Sequence, residues 1–168
     1  HMKYGFTRIA TAVPAIISGY CKKNSSEIIS MIKDIAEKNV ELALFPELCL
    51  TSSNCGDLFL QNTFIKECEQ TINEIADSTR GIDTIIVFGA PVIYRNSIFN
   101  CAIVIHAGTI CGIVPKNIIK DFGSHESRWF NCGEAIPDGT SIKICDKEVP
   151  FAKKAIFSTK SYSFGVEI

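Results

Sequence analysis

The chain has 168 residues, is 46% hydrophobic and 21% charged, and carries a formal net charge of −1. That length allows one domain with a real core, and the composition is that of a globular chain, not a disordered one. The balanced charge gives no electrostatic reason to expect nucleic acid or an anionic membrane as partner, and no apolar run reaches the roughly 18 residues a spanning helix needs.

His1-Met2 reads as an expression-tag remnant before a natural start at Met2, leaving 3–168 as the working chain. Residues 4–13 mix apolar and small side chains and are expected to form a strand ending before Pro14. Asn24-Ser25-Ser26-Glu27 has the form of a capping box with Asn24 as N-cap. Ile28, Ile32, Ile35 and Ala36 follow at helical spacing, which predicts a helix over 24–39. Residues 40–45 read as a short strand closed by Pro46. Asp57 is expected to open a second helix running to about residue 77, with Phe64, Ile65, Cys68, Ile72, Ile75 and Ala76 on its buried face. The continuous apolar run 84–89 fits a strand covered on both faces. Residues 99–106, a turn at Ala107-Gly108 and residues 109–114 read as an antiparallel hairpin. Beyond a polar stretch to Arg128 lie a loop at 131–141 and short strands at 142–145 and 162–168. This order predicts an α/β fold with a mixed sheet and both helices on one face.

Eight cysteines, at 21, 49, 55, 68, 101, 111, 132 and 145, are irregularly spaced, with no Cys-x-x-Cys and only three histidines in the chain. No zinc site is expected from that pattern. Several cysteines sit in apolar runs such as Phe99-Asn100-Cys101-Ala102-Ile103 and read as free thiols acting as small hydrophobes, which suits a reducing cytoplasm.

Two charged residues stand at the exits of strand-like runs. The first is Glu47, in Leu44-Phe45-Pro46-Glu47-Leu48. A glutamate after a strand is most often a solvated loop residue. Here apolar residues flank it and no cation is adjacent, and a carboxylate in apolar surroundings holds its proton more tightly, as a general base near neutral pH requires. The second is Lys116, after Gly112-Ile113-Val114-Pro115. A lysine leaving a strand is usually exposed, yet Pro115 fixes φ there. An ammonium so held can stabilise an oxyanion or a neighbouring thiolate. His106 and Asp57 would permit a Cys-His-Asp arrangement, but His106 precedes a turn and is read as a hairpin-end polar residue.

Taken together, these motifs resemble the nitrilase superfamily. Within it, the chain is similar over nearly its whole length to the N-terminal glutamine-hydrolysing domains of glutamine-dependent NAD synthetases. Phe45-Pro46-Glu47-Leu48 fits the base motif. Asp57-Leu58-Phe59-Leu60-Gln61 with Arg128-Trp129-Phe130 favours the synthetase branch. Phe99-Asn100-Cys101-Ala102, Val114-Pro115-Lys116, Val149-Pro150-Phe151 and Phe164-Gly165-Val166-Glu167-Ile168 fit further on, while 152–163 match weakly. The resemblance implies a four-layer α-β-β-α sandwich with mixed sheets, C-terminally incomplete, over 3–168. It assigns Glu47 as general base, Lys116 as oxyanion and thiolate stabiliser, and Glu126 as a second glutamate beside the lysine. Phe122 falls where the family has a pocket tyrosine, so it would line the glutamine pocket without a hydroxyl. Ser52-Ser53-Asn54 lacks a second pocket aromatic, and 121–127 is about one residue shorter than the family's pattern. The family's nucleophilic cysteine would come next after Ile168, and none of the eight present is expected to replace it.

The implied function is hydrolysis of L-glutamine, with ammonia passed to a synthetase domain of the same polypeptide for ATP-dependent amidation of deamido-NAD. The resemblance implies no cofactor or metal in this domain, with ATP and magnesium confined to the synthetase domain. By itself the chain is expected to be inactive. An open sheet face or edge is expected to favour a homo-oligomer. Two other readings are an amidase or carbamoylase of the same superfamily, and a catalytically dead binding module.

Overall fold

A computed structural model describes residues 5–120 and 125–168. Its centre is a five-stranded sheet in the order β1-β2-β3-β4-β5: Ile9–Thr11, Leu42–Leu44, Ile85–Tyr94, Ser97–His106 and Thr109–Pro115. The first three strands are parallel and the last two pairings antiparallel. Connection type decides this. Helical crossovers join β1 to β2 and β2 to β3, whereas two-residue turns join the rest. Both turns place their central pair at positive φ, Arg95-Asn96 at 47° and 64° and Ala107-Gly108 at 47° and 85°. That backbone matches the twist of the flanking strands. The mixed sheet is the one the element order predicts.

The two crossover helices are α1, Cys21–Ala36, and α2, Asn62–Ser78. Each boundary departs from the sequence expectation for a tertiary reason. Asn24 is not an N-cap. It is fully buried inside the first turn of α1, where its amide donates to Ile17 O at 2.8 Å and Leu50 O at 2.9 Å while its carbonyl accepts from Ile17 N at 2.8 Å. Those bonds satisfy the backbone of two loops, and no local cap is left for the side chain to make. Asp57 does not open α2. It lies in a single 3-10 turn, Gly56–Leu60, and its carboxylate is engaged by a distant segment described below.

Both helices cover one face of the sheet, as predicted. Strand residues of one parity (Ile86, Phe88, Ala90 and Val92 on β3, Phe99, Cys101, Ile103 and Ile105 on β4) join Ile28, Ile32, Ile65, Ile72 and Ile75 of the helices in one core. Fully burying each such isoleucine contributes about 1.5–3 kcal/mol. The opposite parity gives a smaller cluster of Val87, Ala102, Val104 and Val114. A two-stranded ribbon covers it in part. The ribbon comprises β8, Ile156–Ser158, and β9, Ser163–Gly165, and it follows the β6–β7 hairpin of Ser141–Ile144 and Lys147–Pro150. The ribbon sits close: a Cβ on Gly112 would lie 2.9 Å from the Phe157 ring. Strands β7 and β8 were not predicted. They are short and alternate with exposed residues, so no apolar run marks them. The described residues thus supply a helical layer, a five-stranded sheet and one ribbon of a second β layer.

Candidate active site

The site lies on the ribbon-side face, at the end of β4 where Asn100 shares its parity with Ala102 and Val104. The loop carrying Glu47 reaches it by packing directly on β3. Phe45 N donates to Val87 O at 2.8 Å, Gly89 N to Pro46 O at 3.2 Å and Leu50 N to Gly89 O at 3.2 Å. Gly89 is required for this approach. A Cβ there would stand 2.2 Å from Leu48 N and 2.7 Å from Glu47 Cα, positions already filled by backbone. Leu48 then turns the chain at φ 49°.

Lys116 is fixed from both sides of its main chain. Its N–H donates to Asn100 O at 2.8 Å, and its carbonyl accepts from Gly133 N at 2.8 Å. A Cβ on Gly133 would meet Lys116 O at 2.9 Å, so only glycine allows that loop so near. Glu126 arrives on a short 3-10 turn, Glu126–Arg128, opened by His125 at φ 49°. Beyond a main-chain bond from Asn131 N to Ile98 O at 2.8 Å, two side-chain anchors hold this arm. Trp129 Nε1 donates to Asp57 Oδ1 at 3.1 Å, with Arg128 beside the same carboxylate at 3.2 Å. Phe59 packs against Phe130 at 4.8 Å and Trp129 at 6.3 Å between ring centroids.

These elements bring three charges together. Lys116 Nζ lies 2.7 Å from Glu47 Oε1, and 3.2 and 3.0 Å from the two oxygens of Glu126. The lysine side chain is 17% exposed and Glu126 14%, while Glu47 is 44% exposed. The surroundings of Glu47 therefore differ from the apolar setting expected of them, because its carboxylate faces an ammonium and solvent. Burial alone would lower the lysine's pKa. The hydrogen bonds and charges of Glu47 and Glu126 outweigh it and hold the ammonium above its usual value. A fourth residue completes the ring. Asn100 is fully buried, and its Nδ2 donates to Glu47 Oε1 at 2.5 Å and Glu126 Oε1 at 2.8 Å. Beside the cluster is a cavity of about 390 Å³ lined by Leu48, Ser53, Lys120, Trp129 and Phe130 with the three charged residues.

The profile of carbon-nitrogen hydrolases matches residues 9–166. The chain belongs to the carbon–nitrogen hydrolase family. A glutamine-dependent NAD(+) synthetase from Mycobacterium leprae is 28% identical over 155 residues, covering 92% of this chain and 22% of that protein. The synthetase of Aquifex aeolicus is 36% identical over 117 residues, 69% of this chain and 20% of that protein. The crystal structure of the Cytophaga hutchinsonii synthetase superposes with a TM-score of 0.83 at 26% identity, over 95% of this chain and 27% of the other. An amidase from Nesterenkonia superposes with a TM-score of 0.74 at 15% identity, over 96% of this chain and 54% of the other, and shares the fold. The chain thus spans about a fifth of the length of these curated relatives.

Within this family member, the three residues singled out as catalytic, Glu47, Lys116 and Glu126, meet at one point. Phe122 lies outside the described residues. Asn100 was missed as a site residue. Its signal was a lone amide inside the apolar run 98–105. Among the described residues, no cysteine lines the cavity, although all eight are described. Burial pushes the Cys49 thiol, two residues from Glu47, up to about 12, and raises those of Cys55, Cys101 and Cys111. Cys132 donates its thiol to Asn117 O. His106 pairs with Asp83 at 3.1 Å at the hairpin end, so no Cys-His-Asp arrangement forms with Asp57. No helix among the described residues is long and apolar enough to cross a membrane.

Proposed function

We propose that this chain carries the base and cation of an L-glutamine amidohydrolase site, Glu47 and Lys116 with Glu126 beside them. Its thiol nucleophile would come from polypeptide outside these 168 residues. The observation that supports the reading is the single ammonium bonded to both carboxylates, at 2.7 and 3.0 Å, on the rim of a cavity of about 390 Å³. The similar proteins are named as glutamine-dependent synthetases and extend several times further than this chain.

In the proposed reaction Glu47 takes the thiol proton as sulfur attacks the side-chain amide carbon of glutamine. The carbonyl π electrons move to oxygen, and the resulting oxyanion takes over a donor from Lys116. Collapse expels ammonia, which leaves with the proton returned by Glu47, and a thioester remains. Glu47 next deprotonates water for attack on that thioester, and L-glutamate departs as the thiol is restored. Glu126 keeps the ammonium in place when its bond to Glu47 loosens. Ammonia would then serve ATP- and magnesium-dependent amidation of deamido-NAD in a synthetase domain of the same longer, cytoplasmic and oligomeric protein.

The test is ammonia release from L-glutamine. The 168-residue chain should give none, because its described cysteines are buried or bonded away from the cavity. A polypeptide extended to include the family's nucleophile should release ammonia, and Glu47→Gln or Lys116→Ala should each lower its turnover by about 10³-fold or more. Equal, substantial release by the short chain would overturn the reading. A second reading, a non-catalytic binding module, draws on the absence of a thiol at the described cavity. It predicts glutamine binding with no ammonia from either polypeptide.

A further inference from the structure

Asn100 touches all three charged residues of the site. Its main-chain carbonyl accepts from Lys116 N, and its side-chain amide donates to Glu47 and Glu126. The chemistry of those partners fixes the amide's orientation, since two ionised carboxylates accept hydrogen bonds and only the NH2 end can serve both. The opposite end has no such satisfaction. Among the described residues, Asn100 Oδ1 is buried and has no hydrogen-bond partner. A buried amide with one end unsatisfied is costly to keep, and an apolar side chain would suit the strand between Phe99 and Cys101 better. The function of the residue therefore lies at its donor end.

That end makes an asymmetric arrangement. Glu47 Oε1 receives both Asn100 Nδ2 and Lys116 Nζ, while Glu47 Oε2 accepts no hydrogen bond among the described residues. Glu126 is held through both oxygens, Oε1 by Asn100 and Lys116 and Oε2 by Lys116. We infer that Asn100 is a positioning residue, which pins Oε1 of Glu47 against Lys116 and so reserves Oε2 as the oxygen that takes and returns the proton. The proton-transfer role rests on the amidohydrolase reading; the geometry stands without it. A half-turn about the last bond of the glutamate only exchanges two equivalent oxygens, so with the amide in place one oxygen always carries both donors and the other is left for the proton. Glu126, bonded through both oxygens, is kept out of proton transfer by the same contacts. The two carboxylates, alike in chemistry, are thereby given different tasks.

The experiment uses nuclear magnetic resonance on the 168-residue chain without substrate. In the wild-type chain the two Nδ2 protons of Asn100 should both resonate downfield. Glu47→Gln should move one of them upfield and Glu126→Gln the other, and these conservative changes at partly exposed positions test the contact even if variants of Asn100 fold poorly. Asn100→Leu keeps the number and branching of the heavy atoms but removes both donors. Asn100→Ala is the smaller alternative. Neither touches Nζ, yet either should let Glu47 leave Lys116 and lower the lysine's titration midpoint. The same drop should follow Glu47→Gln, and combining it with Asn100→Leu should add nothing further. A purely structural asparagine would lower the melting temperature and leave the Lys116 midpoint where it was. That result, or Nδ2 protons indifferent to both glutamine substitutions, overturns the proposal. In the extended polypeptide Asn100→Leu should cut kcat at least about tenfold with KM nearly unchanged, as expected for a group acting on the transition state alone. Absence of ammonia from the wild-type extended polypeptide would sink the amidohydrolase reading instead, leaving the magnetic-resonance result standing.

Discussion

The two carboxylates reach Lys116 by different means. The Glu47 loop is held by backbone: hydrogen bonds to β3 and a glycine contact too close for any other residue. The Glu126 arm is held chiefly by side chains, one aromatic cluster on Phe59 and one polar clamp on Asp57, with a single main-chain bond to the sheet, Asn131 N to Ile98 O at 2.8 Å, just beyond it. A backbone-pinned loop keeps its place through most surface substitutions, because the pinning groups are present in every residue. An arm pinned chiefly by side chains can be loosened by a single change. The Glu47 loop is thus the rigid half of the site, and the Glu126 arm the separable half.

The largest effect should come from Phe59→Ala, which removes a fully buried ring from beneath the arm. It should cost about 3–5 kcal/mol by thermal or denaturant unfolding, and the fluorescence of Trp129, the chain's single tryptophan, should shift red as the arm lifts. Gly89→Ala is next and attacks the other half. The backbone contact at 2.2 Å forces the Glu47 loop off β3, at a cost of about 1–3 kcal/mol as for overpacking. Trp129 fluorescence should stay unchanged, which separates the two anchors. Asp57→Ala should cost less than about 1 kcal/mol, since Asp57 and Arg128 are 64% and 62% exposed. Amide exchange over 125–130 should nevertheless quicken, while that of 45–50 does not. The smallest effect is at Cys49, inside the rigid half. With its thiol pushed up to about 12, alkylation by iodoacetamide at pH 8 should be negligible until the chain is unfolded.

The same contrast explains what could be read from the sequence. Strand exits are written locally, in an apolar run and the proline that precedes the charge, so Glu47 and Lys116 were legible. The mixed sheet followed from connection lengths. Glu126 is set by the Phe59 and Asp57 anchors, which lie far away in sequence, and it was found only through resemblance. Asn24 and Asp57 both look like helix starts, because their side chains commonly cap helices. In the fold each is taken by distant partners, Asn24 by Ile17 and Leu50, Asp57 by Arg128 and Trp129. Asn100 was passed over because a period-two strand pattern records which face a residue occupies and not what it meets there. Strands β7 and β8 lack an apolar run, and each pairs through a hairpin with one apolar cross-strand pair, Ile142 with Val149 and Phe157 with Phe164.

The central claim is that one ammonium serves two carboxylates. The titration of Lys116, followed by the carbon resonance beside its nitrogen, tests this most directly. Burial lowers its pKa and Glu47 and Glu126 raise it, with the carboxylates prevailing. A raised folded value means that this pairing stabilises the fold fully below the unfolded lysine's pKa of about 10.4, and the contribution is lost as pH rises through the folded value. The wild-type midpoint should therefore lie above that reference. Glu47→Gln and Glu126→Gln should each bring it down, and the double substitution should carry it below the reference, since only burial then remains. A wild-type midpoint at or below the reference, unmoved by either substitution, would contradict the account.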